Sequence, residues 1–255
     1  GVFTSSINTN RATFNSKTNP CSKAGRYTLA VDPEAGNASA PIGYGYATFT
    51  VDTNGNTNLS GKLGDGSAWS SSAFVSKLNT WPLYAGLYSN SGCITGEPVF
   101  AALTDSDVAA DLYWFKPVRT TDAYFKTGFE ARPKLMAQSY VAPALRHRAL
   151  PGWDAVNGLG SAGVAGAGLV ISPLTQPISL TIDNKVSSDA SVLKSLAVSI
   201  VPSTGAFSGS FLHPDTKKTT YHYGVLLQKT DEGVGVILGA TTTGSVLLSH
   251  PPIGP

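Results

Sequence analysis

Four histidines are the first residues of this sequence with the chemistry to bind a metal or move a proton. They are His147, His213, His222 and His250, and none belongs to a His-Glu-x-x-His or His-x-His motif. His213 and His222 flank a turn at residues 214–218 and could face each other as a two-nitrogen metal site. A hairpin pair without a ligand explains the same spacing, so we predict no metal and no other cofactor.

Clustered carboxylates are the second possible source of chemistry. Asp105, Asp107 and Asp111 precede an apolar strand, and a glycosidase needs two carboxyl groups roughly 5 to 10 Å apart. A solvated loop that leads into a strand explains them equally well. Asp52-Thr53-Asn54-Gly55-Asn56 resembles a calcium loop but lacks the glutamate that would close the coordination shell, and the chemistry of a hairpin turn accounts for it. We therefore predict that the protein is not an enzyme.

Aromatic side chains offer a binding chemistry instead, because flat rings stack on the apolar faces of sugars. Trp81 and Trp114 alternate with apolar neighbours, which predicts that both lie in the core. Other aromatic residues have small or polar neighbours and are the candidates for an exposed, ligand-binding platform. These candidates are Trp69, Trp153, Tyr44 and Tyr46.

The two cysteines lie in polar, turn-like settings. Cys21 follows Asn-Pro and Cys93 follows Ser-Gly. An even number of cysteines in a Ser/Thr-rich chain of low charge favours one disulfide and an oxidising compartment. Two unrelated free thiols are the alternative, because a bridge needs Cα atoms within roughly 7 Å and the sequence does not give that distance.

Composition limits the partners of the protein. Only 13% of the 255 residues are charged, and 18 basic against 16 acidic side chains give a net charge of +2, so we expect no nucleic-acid partner. No run of about 20 apolar residues is present, so we predict no membrane-spanning helix. The start at Gly1 is typical of a processed secreted chain, although a trimmed chain would look the same.

Alternation with a period of two is the main structural signal. Tyr44-Gly45-Tyr46-Ala47-Thr48-Phe49-Thr50-Val51 is followed by an Asn/Gly turn and by Leu59-Ser60-Gly61-Lys62-Leu63, which predicts a hairpin. Residues 131–148 are the best candidate helix, but Pro133 and Pro143 interrupt them. The sequence therefore predicts an all-β protein.

A repeat indicates two related domains. Val51 leads through a turn to Leu59-Ser60-Gly61 in the first half, and Val201 leads to Phe207-Ser208-Gly209 in the second. We predict two tandem antiparallel β domains, each a small barrel or sandwich, over residues 1–150 and 169–255. The glycine-rich segment 151–168 is predicted to be the linker between them.

Several motifs carry a resemblance that covers nearly the whole chain. They include Arg11-Ala12-Thr13-Phe14-Asn15, Trp81-Pro82-Leu83-Tyr84, Trp114-Phe115-Lys116-Pro117 and Gly224-Val225-Leu226-Leu227-Gln228. With these motifs the chain resembles a tandem β module found towards the C-termini of large secreted bacterial multidomain proteins. The resemblance implies a secreted or cell-surface, non-catalytic role, and it supplies no catalytic residues. In the related proteins further β sequence precedes the Arg11 motif, whereas ten residues precede it here.

Together these observations favour a non-enzymatic extracellular structural or adhesive protein, such as a subunit of a surface filament, sheath or matrix. Val2, Phe3 and Ile7 belong to a short apolar segment that we expect to self-associate as a strand, either with a neighbouring subunit or with an open edge of its own domain. The alternative is a carbohydrate-binding module that holds a polysaccharide. An extracellular hydrolase is a third hypothesis, and it would require a cleft with two close carboxylates or a Ser-His pair.

Overall fold

The structure is a computed structural model that describes residues 10–251. The first half of the chain contains strands β1 (Gly25–Asp32), β2 (Gly45–Val51), β3 (Asn56–Lys62), β4 (Ala68–Phe74), β5 (Leu83–Leu87), β6 (Gly92–Gly96), β7 (Val99–Phe100), β8 (Val108–Lys116), β9 (Phe129–Ala131) and β10 (Lys134–Ser139). The second half contains a 3-10 helix (Pro151–Val156), β11 (Leu159–Gly166), β12 (Leu174–Leu180), β13 (Val186–Ser187), β14 (Ala197–Val201), β15 (Ala206–Leu212), β16 (Thr219–Leu227), β17 (Glu232–Leu238) and β18 (Thr243–Ser249). The all-β prediction is confirmed, and no helix in the described part of the chain is long and apolar enough to cross a membrane.

The strands of the first half form a nearly closed antiparallel barrel, which we call the first barrel. Its sheet has the order β4-β3-β2-β1-β10-β8-β6-β5, with β7 and β9 added beside β8. The two ends of this order meet where the Ser71 hydroxyl of β4 donates to the Tyr84 carbonyl of β5 at 2.8 Å. Each long strand therefore lies beside the next long strand along the chain, as in an up-and-down barrel.

The second half forms a second barrel with the same circular path. Its sheet has the order β13-β12-β11-β18-β17-β16-β15-β14, and an isolated bridge from Lys185 to Ser199 joins its two ends. The two segments of the sequence repeat form the hairpins β2–β3 and β14–β15. The prediction of two tandem, related antiparallel β domains is confirmed.

Side chains fill the inside of the first barrel. Alternate residues of each strand point inwards, and their aromatic rings pack in a chain: Tyr27 stacks on Phe49 at 4.6 Å between centroids, and Phe49 contacts Trp81 at 4.9 Å. Trp81 and Trp114 are both buried, as their apolar neighbours predict. An eight-stranded barrel has an interior narrow enough to be filled in this way.

The segment 151–168 differs from the predicted linker. It contains the 3-10 helix and β11, and β11 pairs with both β12 and β18. Glycine serves close packing here: a Cβ atom at Gly160 would lie 2.4 Å from the ring of Trp153. The connection between the barrels is instead the stretch 140–150, which the Tyr140 hydroxyl fixes by donating to the Pro202 carbonyl at 2.7 Å.

The two barrels pack against each other through β1 and β2 of the first and β16 and β17 of the second. The outward face of β1 meets the outward faces of β16 and β17 in an apolar cluster of Ala30, Val225, Leu227 and Val234. At one end of this junction Lys229 donates from its backbone N–H to Gln138 Oε1 at 2.6 Å, and its ammonium pairs with Asp107 at 2.7 Å. Apolar burial and polar bonds therefore hold the barrels together.

Candidate functional site

The predicted aromatic platform does not form. Trp69 is 4% exposed and Trp153 is 1% exposed, so the expectation that both face solvent is wrong. Trp69 lies on the inward face of β4 and donates from its indole to the Tyr46 carbonyl at 3.1 Å. Tyr44 and Tyr46 pack against the apolar cluster between the barrels. Trp69 and Trp153 are therefore core residues, and Tyr44 and Tyr46 are partly buried at the junction between the barrels.

The predicted disulfide is also absent. Cys21 and Cys93 are both free thiols. The backbone N–H of Cys21 donates to the Thr53 carbonyl in the β2–β3 turn, whereas Cys93 is the second residue of β6. Cys21 precedes β1, and in the sheet β10 and β8 separate β1 from β6, which carries Cys93. The disulfide argument for an oxidising compartment is thereby removed.

The N-terminal residues proposed for assembly lie outside the described residues. Val2, Phe3 and Ile7 precede residue 10, where the description begins. Just after that point, the Arg11 carbonyl accepts a hydrogen bond from the Lys77 backbone N–H at 3.2 Å. Assembly through this segment stays a prediction.

The histidines have separate partners. His213 Nε2 lies 3.3 Å from the Ala167 carbonyl, and His222 Nε2 lies 3.2 Å from the Ala197 carbonyl. Burial inside the second barrel lowers the pKa of His222 to about 4, and its Nδ1 has no partner in the described structure. Within residues 10–251 no three potential metal ligands lie close together.

Two of the aspartates singled out by the sequence, Asp107 and Asp52, have structural partners. Asp107 accepts from the Ser139 backbone N–H at 2.8 Å as well as from Lys229, and the bond from Lys229 helps to keep its pKa below the usual range despite partial burial. Asp52 Oδ1 accepts two backbone N–H bonds of its own turn, from Asn54 and Asn56, each at 2.8 Å. Turn chemistry thus accounts for the loop that resembles a calcium site.

A polar cleft opens at one end of the first barrel, beside the second barrel. Its volume is about 410 Å³, which lies within the range of small-molecule sites. Three separate parts of the chain build it: the β3–β4 turn, the β5–β6 turn, and the end of β8 with the loop that follows. The lining residues are Asp65, Gly66, Ser67, Ala68, Tyr88, Lys116, Arg119, Asp122, Ala123 and Tyr124.

Tyr88 organises the inner wall of the cleft. Its hydroxyl donates to Asp65 Oδ2 at 2.7 Å and accepts from the indole N–H of Trp114 at 3.1 Å. Burial and the charge of Asp65 raise the pKa of Tyr88 far above its ordinary value. Asp65 is held in turn by the backbone N–H and hydroxyl of Ser67, both at 2.9 Å. The phenol is therefore neutral and fixed in orientation.

Lys116 places a buried cation beside this phenol. Its side chain is 2% exposed, its ammonium lies 3.9 Å from the centroid of the Tyr88 ring, and it forms an ion pair with Asp122. Arg119 donates from Nε to Asp122 Oδ1 at 3.1 Å and from Nη1 to the Tyr88 carbonyl at 3.0 Å. The hydrogen bond from Lys116 is the largest cause of the low pKa of the Asp122 carboxyl.

Unused hydrogen-bonding capacity remains in the cleft. The cations of Lys116 and Arg119 balance the carboxylates of Asp65 and Asp122 in formal charge. A carboxylate has about four lone-pair sites, and Asp122 uses one on each oxygen within the described structure. Arg119 Nη2 has no protein partner among residues 10–251. The cleft thus presents both donors and acceptors to a ligand.

The second barrel completes the outer wall. The hydroxyl of Tyr124 donates to the Gly239 carbonyl at 2.7 Å, which ties the loop after β8 to the turn between β17 and β18. Gly66 has a φ of +84°, and a Cβ atom there would lie 2.9 Å from Leu238. The cleft therefore depends on the docking of the two barrels.

Sequence reasoning missed this cleft, although one signal was present. Leu112, Trp114 and Lys116 occupy alternate positions of β8, and all three point inwards. A lysine in the inward register of a barrel strand must find a partner, because burying an unpaired ammonium is costly. That register marks Lys116 as a residue with a buried counter-charge.

Comparisons with known proteins assign the chain to no family. No protein-family model matches the chain, and no curated protein matches it. A crystal structure from Nostoc punctiforme PCC 73102, of a protein of unknown function from the DUF3598 family, is 10% identical with a TM-score of 0.24. That alignment covers 90% of this chain and 96% of the other. A likeness at this level carries no argument about function.

Proposed function

We propose that this protein is a non-enzymatic binding protein that holds a neutral saccharide in the cleft of the first barrel. The observation that carries the proposal is the charge-balanced set of Lys116, Arg119, Asp65 and Asp122 around a space of about 410 Å³. This ligand class corresponds to the carbohydrate-binding alternative of the sequence analysis. The residues proposed to hold the ligand are different.

The chemistry of the lining favours a neutral polyol over a charged ligand. Each hydroxyl group of a sugar both donates and accepts, which matches the free N–H groups of Arg119 and the free lone pairs of Asp122. A strongly anionic ligand would compete with Asp122 for its two cations, and a strongly cationic one would compete with Lys116. Ala68 and Ala123 leave room for a ring to approach.

A secreted or cell-surface location remains part of the proposal. It now depends on the low charge of the chain and on the resemblance to secreted β modules, because Cys21 and Cys93 are not bonded. The structural or adhesive role is compatible with saccharide binding, since adhesion to a glycan is one way in which a surface protein acts.

Blocking the cleft tests the proposal directly. Ala123 is exposed and lines the cleft, so Ala123→Trp should fill it without disturbing the core. Thr127→Trp, an exposed position in the same loop outside the lining, is the matched control. Calorimetric titration with a panel of neutral monosaccharides and disaccharides, and with uronic acids, should give binding of a neutral sugar that Ala123→Trp abolishes. Binding that survives in Ala123→Trp, or no binding of any sugar by the parent protein, would refute the proposal.

A further inference from the structure

The loop between β11 and β12, at residues 167–173, exposes two adjacent aliphatic side chains. Val170 is 81% exposed and Ile171 is 70% exposed. Single exposed apolar residues are common on protein surfaces, but adjacent β-branched residues at the tip of one loop are costly to leave in water. The feature therefore needs a physical account.

Hydrogen bonds hold this loop in its exposed position. The Val170 backbone N–H donates to Asp215 Oδ2 at 3.0 Å, which fastens the tip to the turn between β15 and β16. At the base of the loop, the Gly166 N–H donates to the Ser172 hydroxyl and the Leu169 N–H donates to the Gly166 carbonyl, each at 3.0 Å. The fold thus presents the two side chains to solvent.

The apolar surface continues onto the first barrel. Ile42, which is 49% exposed, packs so closely on Gly166 that a Cβ atom there would lie 2.4 Å from Ile42 Cδ1. Ile42 also borders a shallow hollow of about 380 Å³ that contains Pro33, Ala35 and Ala38. We call the surface of Ile42, Val170 and Ile171 the Val170 patch.

Positive charge flanks the Val170 patch. Lys217 and Lys218 are exposed on the same turn as Asp215. The Asp215 carboxylate accepts from the loop backbone, and Glu34, near the hollow, accepts from Asn37 and from a backbone N–H. Both carboxylates thus accept hydrogen bonds from neutral groups of the protein. The Lys217 ammonium donates to the Pro214 carbonyl, and the Lys218 ammonium has no protein partner among residues 10–251.

We propose that the Val170 patch docks on an anionic lipid bilayer. In this arrangement Val170 and Ile171 enter the boundary between headgroups and acyl chains, and Lys217 and Lys218 contact the anionic headgroups. A projecting aliphatic pair beside lysines fits a surface that is negatively charged outside and apolar within. The interaction is peripheral, and it is independent of the saccharide cleft.

Vesicle binding tests this inference with the full chain. The probes are phosphatidylcholine vesicles with and without phosphatidylserine, in a sedimentation assay at low and at physiological salt. We expect binding only to the vesicles that contain phosphatidylserine. The double variant with Val170→Ser and Ile171→Ser should weaken it about tenfold or more. Lys217→Gln and Lys218→Gln should each weaken it about fivefold, and added salt should weaken it further.

A matched control separates a specific surface from general stickiness. Val141 and Leu145 are 71% and 89% exposed on the connector at the opposite end of the barrels, and their replacement by serine should leave vesicle binding unchanged. Three results would overturn the proposal: no binding to either vesicle, equal losses in the control variant, or a concentration-dependent dimer that Val170→Ser and Ile171→Ser dissociate. The last result would assign the patch to a second copy of the chain.

Discussion

The hydroxyl of Tyr124 in the first barrel donates to the backbone carbonyl of Gly239 in the second barrel at 2.7 Å. One side chain thereby fixes a wall of the cleft and a contact between the barrels. We expect Tyr124→Phe to lower the free energy of unfolding by about 1 kcal/mol and to weaken saccharide binding, because the ring stays and its anchor is lost. Denaturant unfolding and calorimetry measure the two effects. Tyr221→Phe, at an exposed position, is the control and should change neither.

The two fully buried tryptophans should respond differently to loss of the indole N–H. Trp153 donates to the Asp231 carbonyl at 2.9 Å, whereas the Trp81 indole has no partner in the described structure. Trp153→Phe should therefore lower the free energy of unfolding by about 1 kcal/mol more than Trp81→Phe does. Trp→Ala at either site should lower it by about 3 to 5 kcal/mol. Chemical denaturation of the four variants checks this, and equal costs for both Trp→Phe changes would contradict it.

The ion pair between Lys116 and Asp122 should show strong coupling. Asp122→Ala leaves the buried Lys116 ammonium without its ion-pair partner and with the Tyr88 ring still beside it. We therefore expect the free energy of unfolding to fall by about 1 to 3 kcal/mol. Lys116→Met in the same chain removes the uncompensated charge and should recover part of that loss. A double-mutant cycle from urea unfolding measures the coupling, and purely additive effects would show that the pair contributes little.

His222 should make stability depend on pH below neutrality. Its pKa is about 4 in the folded protein and about 6.5 when unfolded, so between these values the unfolded chain binds the extra proton. Stability should therefore be highest above pH 6.5 and should fall by about 3 kcal/mol as the pH drops to 4. His222→Gln should flatten this part of the profile, measured by unfolding at a series of pH values. Parallel profiles for the parent and the variant would contradict the assignment.

Assembly through the N-terminal segment can be tested by deletion. Removing residues 1–10, which include Val2, Phe3 and Ile7, should reduce particle size in light scattering if the segment joins neighbouring copies. A full-length chain that is monomeric at high concentration, with a deletion that alters only stability, would assign the segment to its own domain.

Local patterns predicted the strands better than they predicted the environments of individual side chains. Alternation located the hairpins and placed Trp81 in the core, because a period of two reports directly on the face of a strand. Trp69 and Trp153 are buried although their small and polar neighbours indicate exposure. The space for Trp153 comes from Gly160 on a strand that follows. The cleft joins Asp65 and Lys116, which are far apart in sequence, and no local pattern reports such a meeting.

The order of the strands along the chain also sets the order in which the two barrels can close during synthesis. The first barrel closes when β10 pairs with β1, so its strands are complete once Ser139 has left the ribosome. The second barrel closes only when β18 pairs with β11, near residue 249. Until β16 and β17 have been synthesised, Ala30 on the flank of the first barrel lacks the residues that cover it, which are Val225, Leu227 and Val234. A chain that ends before β16 therefore lacks the apolar partners of this flank, and exposed apolar surface of this kind favours misassembly during folding.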